Sequence, residues 1–177
     1  INKEEGTINN DATINCIFIG FGDTNKELFL ASVANNEFVQ KVDGKIVRKE
    51  VNYHIFDEKS LTNSKELNHT YYRYKHEICG KVDESKYLPL PPLPSNEVYH
   101  KININDFVFY EQLEDILDDK NSMNYIIISC GKDLNNLDLS EKIITTLKEL
   151  GMKNYKIFVR IKNEKNYNND DLMFFDP

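Results

Sequence analysis

Two short apolar runs limit what this chain can fold into more than any other feature. TINCIFIG at 13–20 and NYIIISCG at 124–131 are rich in β-branched residues and are bounded by turn signals. Such runs read as strands covered on both faces, and strands of that kind belong to parallel sheets. A parallel sheet needs crossover connections, so helical segments should lie between the strands.

The rest of the chain supplies them. Residues 24–38 place Leu28, Phe29 and Val33 near helical spacing, with Asp23 or Thr24 able to cap the start. VNYHIFDEK at 51–59 is a strand ending in acid, and 60–78 follows as a helix. HKININDF at 100–107 is a third strand, and FYEQLEDILDD at 109–119 is amphipathic. After the 124–131 strand, residues 139–150 line up Leu139, Ile143, Ile144, Leu147 and Leu150, and Gly151 stops that helix. NYKIFVRIK at 154–162 is the fifth strand. This order predicts a Rossmann-like, doubly wound, mainly parallel sheet of five or more strands with helices on both faces. The 177 residues suit one domain. Two segments look inserted into it. Residues 39–50 carry Asp43-Gly44, a hairpin turn signal, and 79–99 carry PLPPLP, a stiff extended connector. Residues 1–12 read as a leader, loop or weak edge strand.

Charge and cysteine content exclude several function classes. A net charge of −7 argues against sequence-independent nucleic-acid binding, and Arg73, Lys75 and His76 are the nearest approach to a basic patch. The three cysteines, Cys16, Cys79 and Cys130, are not spaced as metal pairs and fit a reducing compartment. No apolar run reaches membrane-spanning length. The chain starts at Ile1, so a membrane-protein or effector portion outside it is expected. No Ser/His/Asp set, HExxH or phosphate loop occurs, and His54 reads as a strand residue filling a face. No catalytic residue or metal site is expected.

The ends of three strands hold the candidate site. Ligands of such sheets sit beyond the C-terminal strand ends, where the strand order reverses. The first strand ends in Gly20-Phe21-Gly22-Asp23-Thr24-Asn25, two-thirds of the G-x-G-x-x-G/A phosphate fingerprint. Glycine lets a phosphate approach the backbone, and the helix start offers free N–H groups. Asn25 replaces the third small residue and should push the helix away or need room made for it. Asp23 adds negative charge where a pyrophosphate would lie, unless it faces outward as a cap. Asp57, closing HIFD, is placed to accept hydrogen bonds from a ribose, or else to cap the next helix. Gly131, followed by Lys132, gives a ligand or backbone a second close approach.

Four segments carry a family resemblance: IFIGFGDTNKELF, YHIFDEK, ININDFVFYEQLEDI, and the block from NYIIISCG to IKNEKN. Together they resemble the regulator-of-potassium-conductance, Trk-type nucleotide-binding domains of potassium channels and transporters. The likeness spans well over half of the chain and skips 39–50 and 75–99. It implies a cytoplasmic, non-catalytic regulatory module that binds NAD(H), another adenine nucleotide such as ATP, or a cyclic dinucleotide, and that forms a homodimer. On that resemblance Gly20, Gly22 and Thr24 face the phosphates, Asp57 meets the ribose, and Asp106 lies beside the adenine. Two other classes stay open: an S-adenosylmethionine-dependent methyltransferase using the same turn, and a ligand-free scaffold.

Overall fold

The computed structural model describes residues 8–35, 38–59, 69, 99–119 and 121–162. The expected helix over 60–78, the PLPPLP connector, Cys79, the Arg73–His76 patch and the tail from 163 lie outside these residues, apart from helical His69.

Among the described residues the chain forms seven strands and three helices. They are β1 (Thr13–Ile19), α1 (Asp23–Ala34), β2 (Val39–Val42), β3 (Lys45–Arg48) and β4 (Asn52–Asp57), then β5 (Tyr99–Lys101), α2 (Phe107–Leu117), β6 (Ser122–Ile128), α3 (Asp133–Glu149) and β7 (Tyr155–Val159). Five strands form one sheet in the order β5-β4-β1-β6-β7, and every pairing is parallel. The fold is therefore Rossmann-like. Chain order runs outward from β1 in one direction and then, from β6, in the other. The reversal falls between β1 and β6, the place where open α/β sheets bind their ligands.

Burial on two sides explains the apolar runs. Ile17 and Ile19 of β1 join Phe56, Ile126 and Ile128 in a core with Phe109, Leu113 and Leu117 of α2 and Leu139, Ile143 and Leu147 of α3. Phe18 points the other way, into a second core with Phe29, Leu30 and Val33 of α1 and with Tyr53 and Ile55 of β4. The ring of Phe29 meets Phe18, Phe21 and Tyr53 edge to face at 5.4–5.8 Å. That geometry suits the quadrupoles of aromatic rings.

Polar residues fix the register at the opposite sheet edge. Asn15 stands beside both Asn52 and Asn124. Asn52 Nδ2 donates to Asn15 Oδ1 (3.2 Å), and Asn15 Nδ2 donates to Asn124 Oδ1 (2.8 Å). Asn124 Nδ2 in turn donates to Ser122 Oγ (2.7 Å) and to the Asn154 carbonyl (3.2 Å). A shift of one residue would break this ladder and turn every apolar side chain to the wrong face.

Several boundaries differ from the sequence reading. The third strand is only Tyr99–Lys101. Residues Asn103–Asn105 turn instead, because Asn103 Oδ1 accepts the Asn105 N–H at 2.9 Å. Helix α3 starts at Asp133, not 139, since its first turns bury Asn136 in place of an apolar side chain. The 39–50 segment is the expected hairpin, β2 paired antiparallel with β3 through Asp43-Gly44.

Candidate functional site

The β1–α1 turn is shaped by what surrounds it. Gly20 has φ +79°, and a Cβ there would stand 2.6 Å from the Ser129 carbonyl oxygen and 2.8 Å from Cys130 Sγ. Only glycine fits such an approach in that backbone region. Strand pairing continues to the turn itself, with Gly20 N–H bonded to Phe56 O (2.8 Å) and Ser129 N–H to Ile19 O (2.9 Å).

Gly22 differs from Gly20. Its φ is −73°, it occupies the N-cap of α1, and a Cβ placed on it would meet nothing within 4 Å. The expected cap from Asp23 or Thr24 is not made; the helix starts without a side-chain cap. Lys26 is the first residue to bond back, to the Gly22 carbonyl at 3.0 Å. The N–H groups of the first turn before it have no acceptor within the helix. Open space therefore faces bare donors and the positive end of the helix dipole. Asp23 is exposed in that first turn.

Asn25 does not push the helix away. It is fully buried, and its Nδ2 donates to the carbonyls of Gly20 (2.6 Å), Ile19 (3.2 Å) and Ile127 (3.4 Å). The side chain takes the room a small residue would have left and uses it to tie α1 to β1 and β6. The second βα turn repeats this device. Gly131 has φ +82°, and five residues later Asn136 is fully buried. Its Oδ1 accepts the Cys130 N–H (2.6 Å), and its Nδ2 donates to the Arg160 carbonyl (2.9 Å). Each asparagine thus joins its own strand end to the next strand along. The two copies differ in how the amide is used: Asn136 bonds through both ends, whereas Asn25 bonds through Nδ2 alone and its Oδ1 meets no donor.

Asp57 closes the opposite side. Its Oδ2 accepts the Phe21 N–H at 2.6 Å, and its Oδ1 accepts the Lys59 N–H at 2.8 Å. Each carboxylate oxygen retains a further lone pair for a ligand hydroxyl. Phe21 is buried, its ring packed on Phe29 and Tyr99.

These turns enclose a cleft of about 370 Å³. Of the residues singled out from the sequence, Gly20, Phe21, Gly22, Asp57 and Gly131 line it. Asp23, Thr24 and Asp106 do not belong to its lining; Asp106 is the exposed N-cap of α2, and Ile104 and Asn105 form that wall. Ser129 and Cys130, which lead into Gly131 at the strand end, also line it. Cys130 Sγ donates to the Ile19 carbonyl at 3.2 Å. Burial pushes its thiol up to about 12, and the Asp57 carboxylate adds to the effect. A thiol so held stays protonated and is no nucleophile at neutral pH. Cys16, also free, is likewise raised to about 12 by burial.

Outside the cleft, His54 Nδ1 and His100 Nε2 lie 3.3 Å apart. The ring centroids are 5.5 Å apart and nearly parallel, so the rings meet edge to edge through one N–H···N bond. Phe56 stacks on His100 at 4.5 Å. Among the described residues no group of three or more His, Cys, Asp or Glu could hold a metal ion, and no helix is long and apolar enough to cross a membrane. The sequence matches no family model, no curated protein and no solved structure.

Proposed function

We propose that this domain binds an adenine nucleotide, NAD(H) in the first instance, in the cleft between β1 and β6, and serves as a non-catalytic regulatory module. One observation carries the reading: the uncapped start of α1 faces open space at Gly22, opposite the carboxylate of Asp57. The first feature suits a phosphate and the second a ribose hydroxyl. The cleft volume, about 370 Å³, falls in the range of small-molecule sites.

A binding role suits the described lining of the cleft, where Cys130 is held protonated and no histidine stands among the described lining residues. Binding without chemistry matches the resemblance to regulator-of-potassium-conductance domains, and that likeness also favours a cytoplasmic homodimer attached to a membrane or effector portion. Mass spectrometry of small molecules released from the purified protein tests the reading without choosing a ligand. An adenine nucleotide in stoichiometric amount supports it. S-adenosylmethionine would favour a methyltransferase instead, and an empty protein that also ignores added nucleotides would favour a scaffold.

A further inference from the structure

Among the described residues, one face of the sheet is incompletely covered. A parallel sheet is ordinarily buried on both sides. On the α2/α3 side, Tyr155, Ile157 and Val159 of β7 pack against the core. The intervening residues, Lys156 and Phe158, face the α1 side, and Phe158 is 52% exposed. On β6 the same face holds Tyr125, stacked on Phe38 at 6.2 Å, and Ile127, both only half-buried. Among the described residues, α1 covers β1 and β4 and reaches no further than Ile127.

We infer that the C-terminal segment around Asp170–Phe175 docks on this face, across Tyr125, Ile127 and Phe158. The first argument is complementarity. The face is apolar with a positive margin from Lys156, and Arg160 lies just past the strand. The segment reads Asp170-Asp171-Leu172-Met173-Phe174-Phe175-Asp176, apolar between acids. The second argument is reach. The eight residues from Asn163 to Asp170 can span about 26 Å when extended. The five residues of β7 extend about 17 Å. The chain can therefore double back along the whole strand. A second copy is the weaker occupant, because a two-fold axis would set this face against itself and bring Lys156 and Arg160 toward their own kind.

Carbodiimide crosslinking of the full chain, with unlabelled and ¹⁵N-labelled protein mixed, tests the assignment. The expected product joins Lys156 to Asp170 or Asp171 within one isotopic species. Phe158→Gln leaves both crosslinking groups in place, adds no competing carboxylate and removes the apolar seat. It should cut the yield by about tenfold or more, the scale of exposing one aromatic side chain. Far-ultraviolet circular dichroism establishes that the variant is folded. Links only between differently labelled copies, no link from Lys156 to the tail acids, or an undiminished yield in folded Phe158→Gln would each overturn the assignment.

Discussion

The main-chain N–H of Phe21 donates to Asp57 Oδ2 at 2.6 Å, so the carboxylate that ends β4 also holds the turn that ends β1. Its other oxygen holds the Lys59 N–H at 2.8 Å. Asp57→Asn leaves one acceptor oxygen for two donors and sets an amide N–H₂ against the second. The expected loss is about 1–3 kcal/mol, the scale of a hydrogen bond to a charged group, read from urea unfolding. Unchanged stability would mean that the turn holds itself.

The two glycines of the turn should separate stability from binding. Gly20→Ala sets a Cβ against Ser129 O and Cys130 Sγ at φ +79°. Overpacking and the strained backbone together should cost about 2–4 kcal/mol. Gly22→Val, at φ −73° with open space ahead, should shift stability by less than about 1 kcal/mol. Thermal melts of the two variants check the contrast; equal losses would refute it.

Asn25 and Asn136 should both matter to the fold. Asn25→Ala removes the donor shared by three carbonyls and should cost about 1–3 kcal/mol. Asn25→Asp should cost more than the alanine, because a carboxylate oxygen would then face carbonyl oxygens with no proton between them. Asn136→Ala should cost more than Asn25→Ala, since both ends of the Asn136 amide are paired while Asn25 Oδ1 is not. Urea midpoints for the three variants give the order directly.

Acid should weaken the domain through the histidine pair. Burial lowers His54 from 6.5 to about 4, and the neighbouring His100 adds to the shift. Burial also lowers His100, against an opposing pull from Gln112. Gln112 Oε1 makes no hydrogen bond, which fits its being the smaller influence. The native state therefore binds fewer protons than the unfolded chain. Stability is full above the unfolded value of about 6.5, falls with decreasing pH, and for His54 levels off below about 4. His54→Leu should flatten the dependence of the urea midpoint between pH 7 and 4.5. A variant with the same slope would show that the pair does not contribute.

The legible part of the fold was the part written in local pattern. Ile14–Ile19 and Tyr125–Ile128 read as buried strands from composition alone, and Asp43-Gly44 marked its hairpin. Gly20 and Gly131 stood out because a strand precedes each. For Asn25 the sequence leaves two outcomes, a displaced helix or room made for the side chain, and does not show which carbonyls its amide bonds. Its actual partners include Ile127, which lies 102 residues away. The second role of Asp57 was hidden for the same reason, since Phe21 is 36 residues from it in sequence. His54 was placed correctly as a strand residue filling a face, but its partner lies on β5, whose three residues carry little pattern of their own. Cys130 looked like another apolar strand residue. Its place in the cleft follows from β6 ending at Ile128, two residues earlier than the apolar run suggests.

Isothermal titration calorimetry of the intact protein and of Gly22→Val with NAD(H), ATP and S-adenosylmethionine tests the central claim most directly. The unaltered protein should bind NAD(H) or ATP at one site per chain, and folded Gly22→Val should bind neither, because a β-branched side chain fills the phosphate position. Equal nucleotide affinity in the two proteins would place the ligand elsewhere, and no heat from either nucleotide with the unaltered protein would contradict the claim outright.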